Sequence, residues 1–208
     1  MSFIIAAIGT DIGKTVISAI ICEALAADYW KPVQAGDLDH TDSDKVRALI
    51  SDPNIKIHAE AHRLTAPMSP HAAARLDNTK IELSDFTRPA THAPLIIEMA
   101  GGLMVPLSEE LMMTDLMIAF DLPVILVANF YLGSINHTLL SAALLKSLNI
   151  PTAGIIFNGN MNAESRDIIL KHIDMPCLGH IPYAQHLTKD FVTTHAQSLR
   201  HALRLARL

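Results

Sequence analysis

The sequence predicts an α/β fold in which a mainly parallel sheet carries helices on both faces. Three apolar runs, FIIAA from Phe3, PVILVA from Pro123 and TAGIIF from Thr152, are typical of strands that are buried on both sides. Segments with apolar residues at helical spacing lie between them, the clearest being INHTLLSAALLKSL, which stops before Asn149 and Pro151. Because strand and helix alternate in this way, we expect right-handed crossovers and parallel pairing.

The remaining elements follow the same pattern with weaker signals. KTVISAIICEALAA begins at Lys14, soon after the first strand, and has apolar residues at helical spacing. LII leads into Glu98, a further helix (AESRDIILKHI) begins at Ala163, and another helix is expected after Pro70. The stretch 52–92 is weakly patterned. No repeat or linker divides the sequence, so we expect one domain over residues 1–208.

Composition and charge exclude several classes of partner. The chain has 208 residues, of which 50% are hydrophobic, and a formal net charge of -5. No apolar run approaches the roughly 18 to 20 residues that span a bilayer. The only basic cluster is the C-terminal RHALRLARL, which is expected to end an amphipathic helix. We therefore expect neither a membrane nor a nucleic acid as a partner.

The N-terminus and the cysteines indicate a cytoplasmic protein. MSFIIAAIG lacks the basic region that precedes the apolar part of a signal peptide. Only two cysteines occur, Cys22 and Cys177, and Cys22 lies in an apolar helical stretch. A buried thiol is expected there rather than a disulfide.

The segment GTDIGKT, from Gly9 to Thr15, joins the first strand to the first helix. The usual phosphate-binding loop has four residues between its first glycine and Gly-Lys-Thr, whereas three follow Gly9 here. The turn nevertheless lies where ligands of parallel sheets bind, and the N–H groups of a helix start favour anions. We therefore predict a P-loop NTPase-like domain, in which Lys14 reaches the outer phosphates and Thr15 holds Mg²⁺.

Four further stretches make the pattern specific. KPVQAG follows the first helix, SPH lies in the middle of the chain, EMAGGLMVPLS follows a strand, and LGSINHTLL opens a helix. In this order, and together with the loop, they resemble the dethiobiotin synthetase family, whose motifs run G-T-D-T-x-V-G-K-T, K-P-V-x-S-G, S-P-H, E-G-A-G-G and G-x-I-N-H. The resemblance extends from Phe3 to about Tyr183.

The resemblance also resolves the spacing of the loop. The family has five residues between its first glycine and Gly-Lys-Thr. An ungapped alignment of the two loops places Ala7 on that glycine and Thr10 on the second threonine of the motif. The apparent start at Gly9 is then coincidental. Ala7 differs from the first glycine of the family by one methyl group, which would strain the loop if this position required a positive φ.

The resemblance implies an ATP site that draws on five parts of the chain. Its expected residues are Asp11, Ile12, Gly13, Lys14, Thr15, Val16, Asp44, Glu98, Met99, Ala100, Gly101, Asn158, Pro182, Tyr183 and Ala184. Within this set, Asn158 would contact adenine and the segment 182–184 would face the base. Thr15, Asp44 and Glu98 would hold Mg²⁺, and Asp42 is a nearby competitor for the role of Asp44. The glycines after Glu98 would allow a close approach to the phosphates, which Met99 narrows.

The implied substrate site centres on two lysines. Lys31 and Lys14 are the expected catalytic residues, with Lys31 stabilising charge on a carbamate and then on the phosphoryl group. The expected substrate-binding residues are Lys31, Gln34, Ala35, Gly133, Ser134 and Asn136. Ala35 replaces a serine that contacts the substrate in the family. In the family the helix start at 133–136 comes from the second subunit, so a homodimer with a shared site is implied.

The implied reaction is ATP-dependent ring closure. In the family, 7,8-diaminononanoate reacts with CO2 and ATP to give dethiobiotin, ADP and phosphate. An amine captures CO2 as a carbamate, the γ-phosphoryl group moves to that carbamate, and the second amine closes the cyclic urea. Such chemistry depends on positioning and charge stabilisation rather than on a side-chain nucleophile.

Three alternatives remain at the level of the sequence. A related P-loop amidoligase would carry a further glutaminase domain, for which this chain is too short. A nucleotide-dependent switch of the ParA/MinD type would carry a second lysine near the start of the loop, and no lysine precedes Lys14. The third alternative is a relative that has lost activity through the changes at Ala7, Ala35 and Met99.

Overall fold

All strand pairs of the central sheet are parallel, which confirms the predicted architecture. The computed structural model describes residues 2–206, and over that range its strands are β1 (Phe3–Ala7), β2 (Asp28–Trp30), β3 (Val33–Ala35), β4 (Ile57–His58), β5 (His62–Leu64), β6 (Leu95–Glu98), β7 (Val124–Asn129), β8 (Thr152–Asn158) and β9 (Cys177–Ile181). Seven of them form one sheet in the order β4-β2-β6-β1-β7-β8-β9, and β3 pairs with β5 in a separate two-stranded sheet.

The four helices predicted at Lys14, after Pro70, at Ile135 and at Ala163 are present, each starting within one residue of its expected position, among the seven helices of residues 2–206. These seven are α1 (Lys14–Leu25), α2 (Asp42–Leu49), α3 (Pro70–Leu76), α4 (Met113–Phe120), α5 (Ser134–Ser147), α6 (Ala163–His172) and α7 (Lys189–Leu205). The helix expected after Pro70 is present, with proline in its first turn, where a missing N–H costs nothing. The weakly patterned stretch 52–92 contains the short strands β4 and β5, which the sequence did not reveal.

Two hydrophobic cores cover the two faces of the sheet. Strand β1 shows the division: Phe3, Ile5 and Ala7 belong to one core, and Ile4 and Ala6 belong to the other. This alternation follows from the period of two in a strand. Because both faces are covered, every residue of β1 is buried, which explains its uninterrupted apolar sequence.

The C-terminal helix α7 packs on α1 and closes one core. Val192, Ala196, Leu199 and Leu203 form its buried stripe at helical spacing, and the Arg200 side chain donates from Nε to the Ala24 carbonyl at 3.0 Å. The amphipathic character expected of RHALRLARL is confirmed as far as Leu205. Residues 207 and 208 of that segment lie outside the described residues.

Two further expectations concern cysteines and membranes. Cys22 is fully buried within α1 as a free thiol, as the sequence predicted. Burial raises the pKa of that thiol well above its usual range, and the nearby Glu98 adds to the effect. Between residues 2 and 206, no helix combines the length and the apolar character that crossing a membrane requires.

Candidate active site

The loop between β1 and α1 has the geometry of a phosphate-binding loop. Gly13 directly precedes α1 and adopts a φ of 97°, and no side chain caps this helix start. The Lys14 ammonium folds back and donates to the Gly9 carbonyl at 3.0 Å. The first N–H groups of α1 therefore face the carboxyl end of the sheet, where a helix start is suited to an anion.

The alanine that replaces the first glycine causes no strain. Ala7 ends β1 in extended conformation, is fully buried and pairs with Val127 of β7. The positive φ of the loop falls instead on Asp11, at 57°, and on Gly13. The possibility that Ala7 distorts the loop is therefore excluded, because its backbone is one that any residue adopts.

Asn158 fixes the loop from the end of β8. Its side-chain amide donates from Nδ2 to the Ile12 carbonyl at 2.9 Å. A Cβ atom added to Gly13 would lie 2.1 Å from that same nitrogen. Gly13 is thus required both by its left-handed backbone and by the close approach of Asn158.

Glu98 connects the loop to the second strand. Its carboxylate lies at the end of β6 with a side chain that is 1% exposed. Oε1 accepts hydrogen bonds from the Thr15 hydroxyl at 2.9 Å and from the Lys31 ammonium at 3.0 Å, whereas Oε2 accepts one from the Tyr29 hydroxyl at 2.9 Å. Burying a carboxylate costs several kcal/mol unless such partners compensate.

Lys31 lies between two carboxylates. Its ammonium contacts both Glu98 and Asp42, and its side chain is 6% exposed. Burial by itself lowers the pKa of Lys31, but the two carboxylates more than offset that effect and raise it above its ordinary value. Lys31 is therefore a buried cation that is held between two carboxylates.

For Lys14, unlike Lys31, the effect of burial on the pKa outweighs the effect of the neighbouring carboxylates. Its pKa is lowered to about 8, chiefly by burial, while Glu98 opposes that shift and the positive charge of Lys31 adds to it. The Tyr29 hydroxyl has a pKa well above its usual range, first through burial and then through the charge of Glu98. Tyr29 is accordingly a hydrogen-bond donor to Glu98 at any physiological pH.

Lys14, Lys31 and Glu98 line a cavity of about 730 Å³ at the carboxyl end of the sheet. Three parts of the chain form most of its wall. The loop contributes Thr10, Asp11, Gly13, Lys14 and Thr15, and the segment after β2 contributes Lys31, Val33, Gln34 and Ala35. The remaining wall consists of Pro67, Met68, Ser69 and Pro70 before and at the start of α3, and of Glu98, Ala100, Gly101 and Val105 at and after the end of β6. A cavity of this size can accommodate a small ligand, and its mixed polar and apolar walls suit one with a charged end.

The two aspartates of α2 occupy different environments. Asp42 lines the cavity and pairs with Lys31, and its own pKa is lowered, since the charge and hydrogen bond of Lys31 outweigh burial. Asp44 caps its helix instead: its carboxylate accepts from the Thr41 backbone N–H at 3.0 Å and pairs with Arg47. Asp42, which the sequence named only as a competitor, is therefore the aspartate that faces the cavity, whereas Asp44 does not.

Gln34 and Ala35 both lie on the cavity wall, as expected. The Gln34 amide is already engaged: Nε2 donates to the Gly36 carbonyl at 2.9 Å, and Oε1 accepts from the Asp42 backbone N–H at 3.2 Å. Gln34 thus holds the start of α2 against the cavity. The Ala35 methyl group leaves this part of the wall apolar.

Met99 does not narrow the site. Its side chain is 1% exposed and lies in the core beneath the loop, while Ala100 and Gly101 reach the cavity wall. A Cβ atom on Gly102 would approach the Gly9 Cα at 3.4 Å, so the two loops pack through their backbones. The expectation of a narrowed phosphate approach at Met99 is therefore wrong.

The other expected residues do not line this cavity in the described part of a single chain. The first group, Gly133, Ser134 and Asn136, lies at the start of α5, and the second, Asn158, Pro182, Tyr183 and Ala184, lies at the ends of β8 and β9. Asn158 nevertheless reaches the loop through its hydrogen bond to the Ile12 carbonyl. In the sheet, β8 and β9 lie on the opposite side of β1 from β2, the strand that precedes Lys31.

Sequence reasoning missed Tyr29. It lies two residues before Lys31, and side chains two apart along an extended segment share a face. That spacing was the available signal. The sequence placed Lys31 at the end of the second strand but gave Tyr29 no role in the site, because tyrosine is common in cores.

The donor set at the loop fits Mg²⁺. The Thr15 hydroxyl and the carboxylates of Glu98 and Asp42 are hard oxygen ligands, which Mg²⁺ prefers. Residues 2–206 contain no group of three or more His, Cys, Asp or Glu side chains arranged to hold a metal by themselves. A metal at this place would therefore need phosphate oxygens and water to complete its shell, as is usual for Mg²⁺ at nucleotide sites.

The parallel sheet, the loop at the end of β1 and the acid at the end of β6 define a P-loop nucleotide-binding protein. Solved structures share the fold: a plasmid partition protein from Borrelia burgdorferi (17% identity, TM-score 0.58, 98% of each chain) and the septum site-determining protein MinD from Pyrococcus horikoshii in complex with Mg-ADP (14% identity, TM-score 0.56, 100% of this chain and 96% of that one). At these identities the likeness establishes the fold alone.

Sequence relatives define the family more closely. A family model described as an AAA domain matches residues 1–190. The ATP-dependent dethiobiotin synthetase BioD of Cytophaga hutchinsonii is 50% identical over 198 residues, covering 95% of this chain and 96% of that protein. The corresponding protein of Christiangramia forsetii is 46% identical over 202 residues and 97% of each chain. The chain belongs to the ATP-dependent dethiobiotin synthetase family.

Proposed function

We propose that this chain closes the cyclic urea of dethiobiotin from 7,8-diaminononanoate, CO2 and ATP. The observation that carries the proposal is the position of Lys31, a buried cation that shares the carboxylate of Glu98 with Thr15 of the phosphate-binding loop. A cation so placed lies beside both the γ-phosphate site and the open cavity. The names of the relatives at 42–50% identity support the same reaction.

The reaction has three bond-forming steps. The nitrogen of one substrate amine attacks CO2 and loses a proton, which gives a carbamate. A carbamate oxygen then attacks the γ-phosphorus, ADP leaves, and a mixed carbamic–phosphoric anhydride forms. Finally the second amine attacks the carbamoyl carbon, the C–O bond to phosphate breaks, and the ring closes with loss of a second proton.

Lys31 and Lys14 have distinct proposed roles in these reaction steps. Lys31 faces the cavity and would stabilise the carbamate and then the transferring phosphoryl group, both of which are anionic. Lys14, released from the Gly9 carbonyl, would reach the β- and γ-phosphates. No side-chain nucleophile is required, so catalysis comes from positioning and from fixed charge.

The residues that would hold Mg²⁺ are Thr15, Glu98 and Asp42. When bound, the metal would neutralise part of the charge on the ATP phosphates. The family resemblance assigns this role to Asp44. Because the Asp44 carboxylate is engaged in the helix cap and in the ion pair with Arg47, we propose Asp42 instead. Lys31 contacts both carboxylates in the free chain and Lys45 also pairs with Asp42, so nucleotide and metal would enter a site whose negative charge is already partly compensated.

The adenine would lie on the far side of the loop from Lys31. Asn158 would contact the base with the amide atoms that its bond to Ile12 leaves available. The segment 182–184, which follows β9 and in which Tyr183 is exposed, would face the base from the other side.

The substrate carboxylate would be held by a second subunit. In this chain α5 begins at Ser134 after Gly133, which has a φ of 102°, and no side chain caps that helix start in the described residues. Such a start is suited to a carboxylate, with Asn136 beside it. Leu132 is fully exposed, Leu140 is largely exposed and Tyr131 is partly exposed, which supports a partner on this surface. We propose a two-fold symmetric homodimer in which α5 of one subunit completes the cavity of the other.

We further propose one domain over residues 1–208 that acts in the cytoplasm. The described part of the chain has two hydrophobic cores on opposite faces of one sheet, without a linker between them. Both cysteines are free thiols, which is usual in a reducing compartment.

A single assay tests the proposed function. The purified chain is incubated with 7,8-diaminononanoate, bicarbonate and Mg-ATP, and dethiobiotin and ADP are quantified together. The proposal requires the two products in equal amounts. ADP without dethiobiotin, at a rate that is independent of the diamine, would instead support a nucleotide-dependent switch.

A further inference from the structure

The Tyr29 hydroxyl is the only hydrogen-bond donor to Oε2 of Glu98 among the described residues. Tyr29 lies in β2, is fully buried, and packs with the core that contains α1. The other two donors to this carboxylate, Thr15 and Lys31, both bond to Oε1. The two oxygens of Glu98 therefore have separate partners, one facing the core and one facing the active site.

This division fixes the orientation of the carboxylate. The terminal torsion χ3 of a glutamate has a broad distribution, so packing alone does not set the orientation of the carboxylate plane. A donor on each oxygen defines the carboxylate plane, and Tyr29 supplies the one that points away from the cavity. Since the tyrosine ring is held in a strand and in a close-packed core, its hydroxyl is a rigid reference point.

The second strand brings this donor into line with the catalytic lysine. Tyr29 pairs with Ile96 of β6, two residues before Glu98, so the register of the two strands sets the position of the hydroxyl beside the carboxylate. Trp30, the next residue along, points to the opposite core and donates from Nε1 to the Ala59 carbonyl at 2.9 Å. One strand thus supports the site on one face and the core on the other.

We propose that Tyr29 is a positioning residue that holds Glu98 with Oε1 toward the phosphate-binding loop and so sets how strongly ATP binding depends on Mg²⁺. This inference rests on the proposed role of Glu98 as a metal ligand. Partners that orient a metal ligand typically contribute about 10- to 100-fold to metal affinity or activity. The competing view is that Tyr29 only fills the core.

The test compares three variants of the full chain. Tyr29→Phe keeps the ring and removes the hydroxyl. Trp30→Phe is the matched control, because it also removes one buried hydrogen bond from β2, but on the other face. Glu98→Gln reports whether the carboxylate itself matters to the metal. Calorimetric ATP affinity is measured with and without Mg²⁺, together with thermal stability and the Mg²⁺ dependence of kcat and KM for ATP.

We expect Tyr29→Phe to reduce the Mg²⁺-dependent gain in ATP affinity by about tenfold while affinity without Mg²⁺ stays unchanged. The concentration of Mg²⁺ that gives half-maximal turnover should rise to a similar extent. Trp30→Phe should lower thermal stability without either effect. A gain that Tyr29→Phe leaves intact, or that both phenylalanine variants reduce equally, would overturn the inference.

Glu98→Gln separates this inference from the proposed function. If Glu98→Gln removes the Mg²⁺-dependent gain and Tyr29→Phe does not, then only the role of Tyr29 is wrong. If Glu98→Gln leaves the gain intact, the metal role of Glu98 is wrong, and the role of Tyr29 fails with it. Dethiobiotin formation by the unmodified chain is measured separately and is decided by neither result.

Discussion

Lys31 and Glu98 form an ion pair of 3.0 Å in which both side chains are almost completely buried. Glu98 shares the same oxygen with Thr15 of the phosphate-binding loop, while Lys31 also contacts Asp42. The pair therefore joins the phosphate-binding loop to the part of the cavity wall that contains Asp42.

Lys31→Ala should reduce kcat by about 100-fold or more, while the affinity for ATP changes little. Removing one preorganised charge that stabilises a transition state typically has an effect of about 100- to 1000-fold on kcat. Steady-state kinetics and calorimetry measure the two quantities. Lys45→Ala is the control, because Lys45 also lines the cavity and pairs with Asp42 but is partly exposed. A near-normal kcat in Lys31→Ala would show that the buried cation is structural.

ATP affinity should fall as the pH rises through about 8, because the pKa of Lys14 in the free chain is lowered to about 8 and only its charged form attracts phosphate. Below that pH the lysine is charged and binding is strong. Above it, ATP must bind together with a proton. Calorimetry in buffers of different ionisation heat measures that proton uptake directly.

Lys14→Ala supplies the control for this pH dependence. The variant should lose about 10- to 100-fold in ATP affinity, as expected for charge-assisted hydrogen bonds. It should also lose the proton uptake near pH 8. Uptake that persists in the variant would assign the titration to another group, and unchanged affinity would contradict the phosphate-binding role of the loop.

Asp42→Asn should change the Mg²⁺ dependence of turnover, whereas Asp44→Asn should change stability. Asp42 faces Lys31 and the cavity, so its loss should raise the Mg²⁺ concentration needed for turnover and lower kcat. Asp44 caps α2, so its loss should lower the melting temperature and leave the Mg²⁺ dependence unchanged. Mg²⁺ titrations of turnover and thermal melts separate the two. The reverse result would restore the assignment to Asp44 that the family pattern implies.

Mixing two inactive variants should restore activity if the site is shared between subunits. Lys14→Ala disables the loop, and Asn136→Glu places a repelling charge where the substrate carboxylate would bind. Asn136 is exposed, unlike the buried Ser134, so the change leaves the packing of α5 intact. A mixed dimer then carries both changes in one site and none in the other.

At equal concentrations, random exchange should give about a quarter of the unmodified activity, because half of the dimers are mixed and each has one intact site. Dimer formation by each variant is checked by light scattering. Activity that stays absent after exchange would show that each chain contains its own complete site.

The sequence by itself determined the fold class and identified the loop residues that line the cavity. Buried parallel strands must be apolar throughout, so FIIAA, PVILVA and TAGIIF were recognisable without a structure. Gly-Lys-Thr at a strand-to-helix turn specifies its own local geometry, and the loop residues Lys14 and Thr15 do lie on the cavity wall. Such features depend on neighbours along the chain, and a linear pattern can report them.

The tertiary structure alone decided the contacts between distant segments. Tyr29 and Glu98 are 69 residues apart, and Asn158 and Ile12 are 146 apart, so no local pattern predicted either hydrogen bond. The choice of Asp42 over Asp44 likewise depends on which face of α2 meets Lys31. Strand register and helix rotation fix these pairings, and both are set by packing of the whole core rather than by the residues themselves.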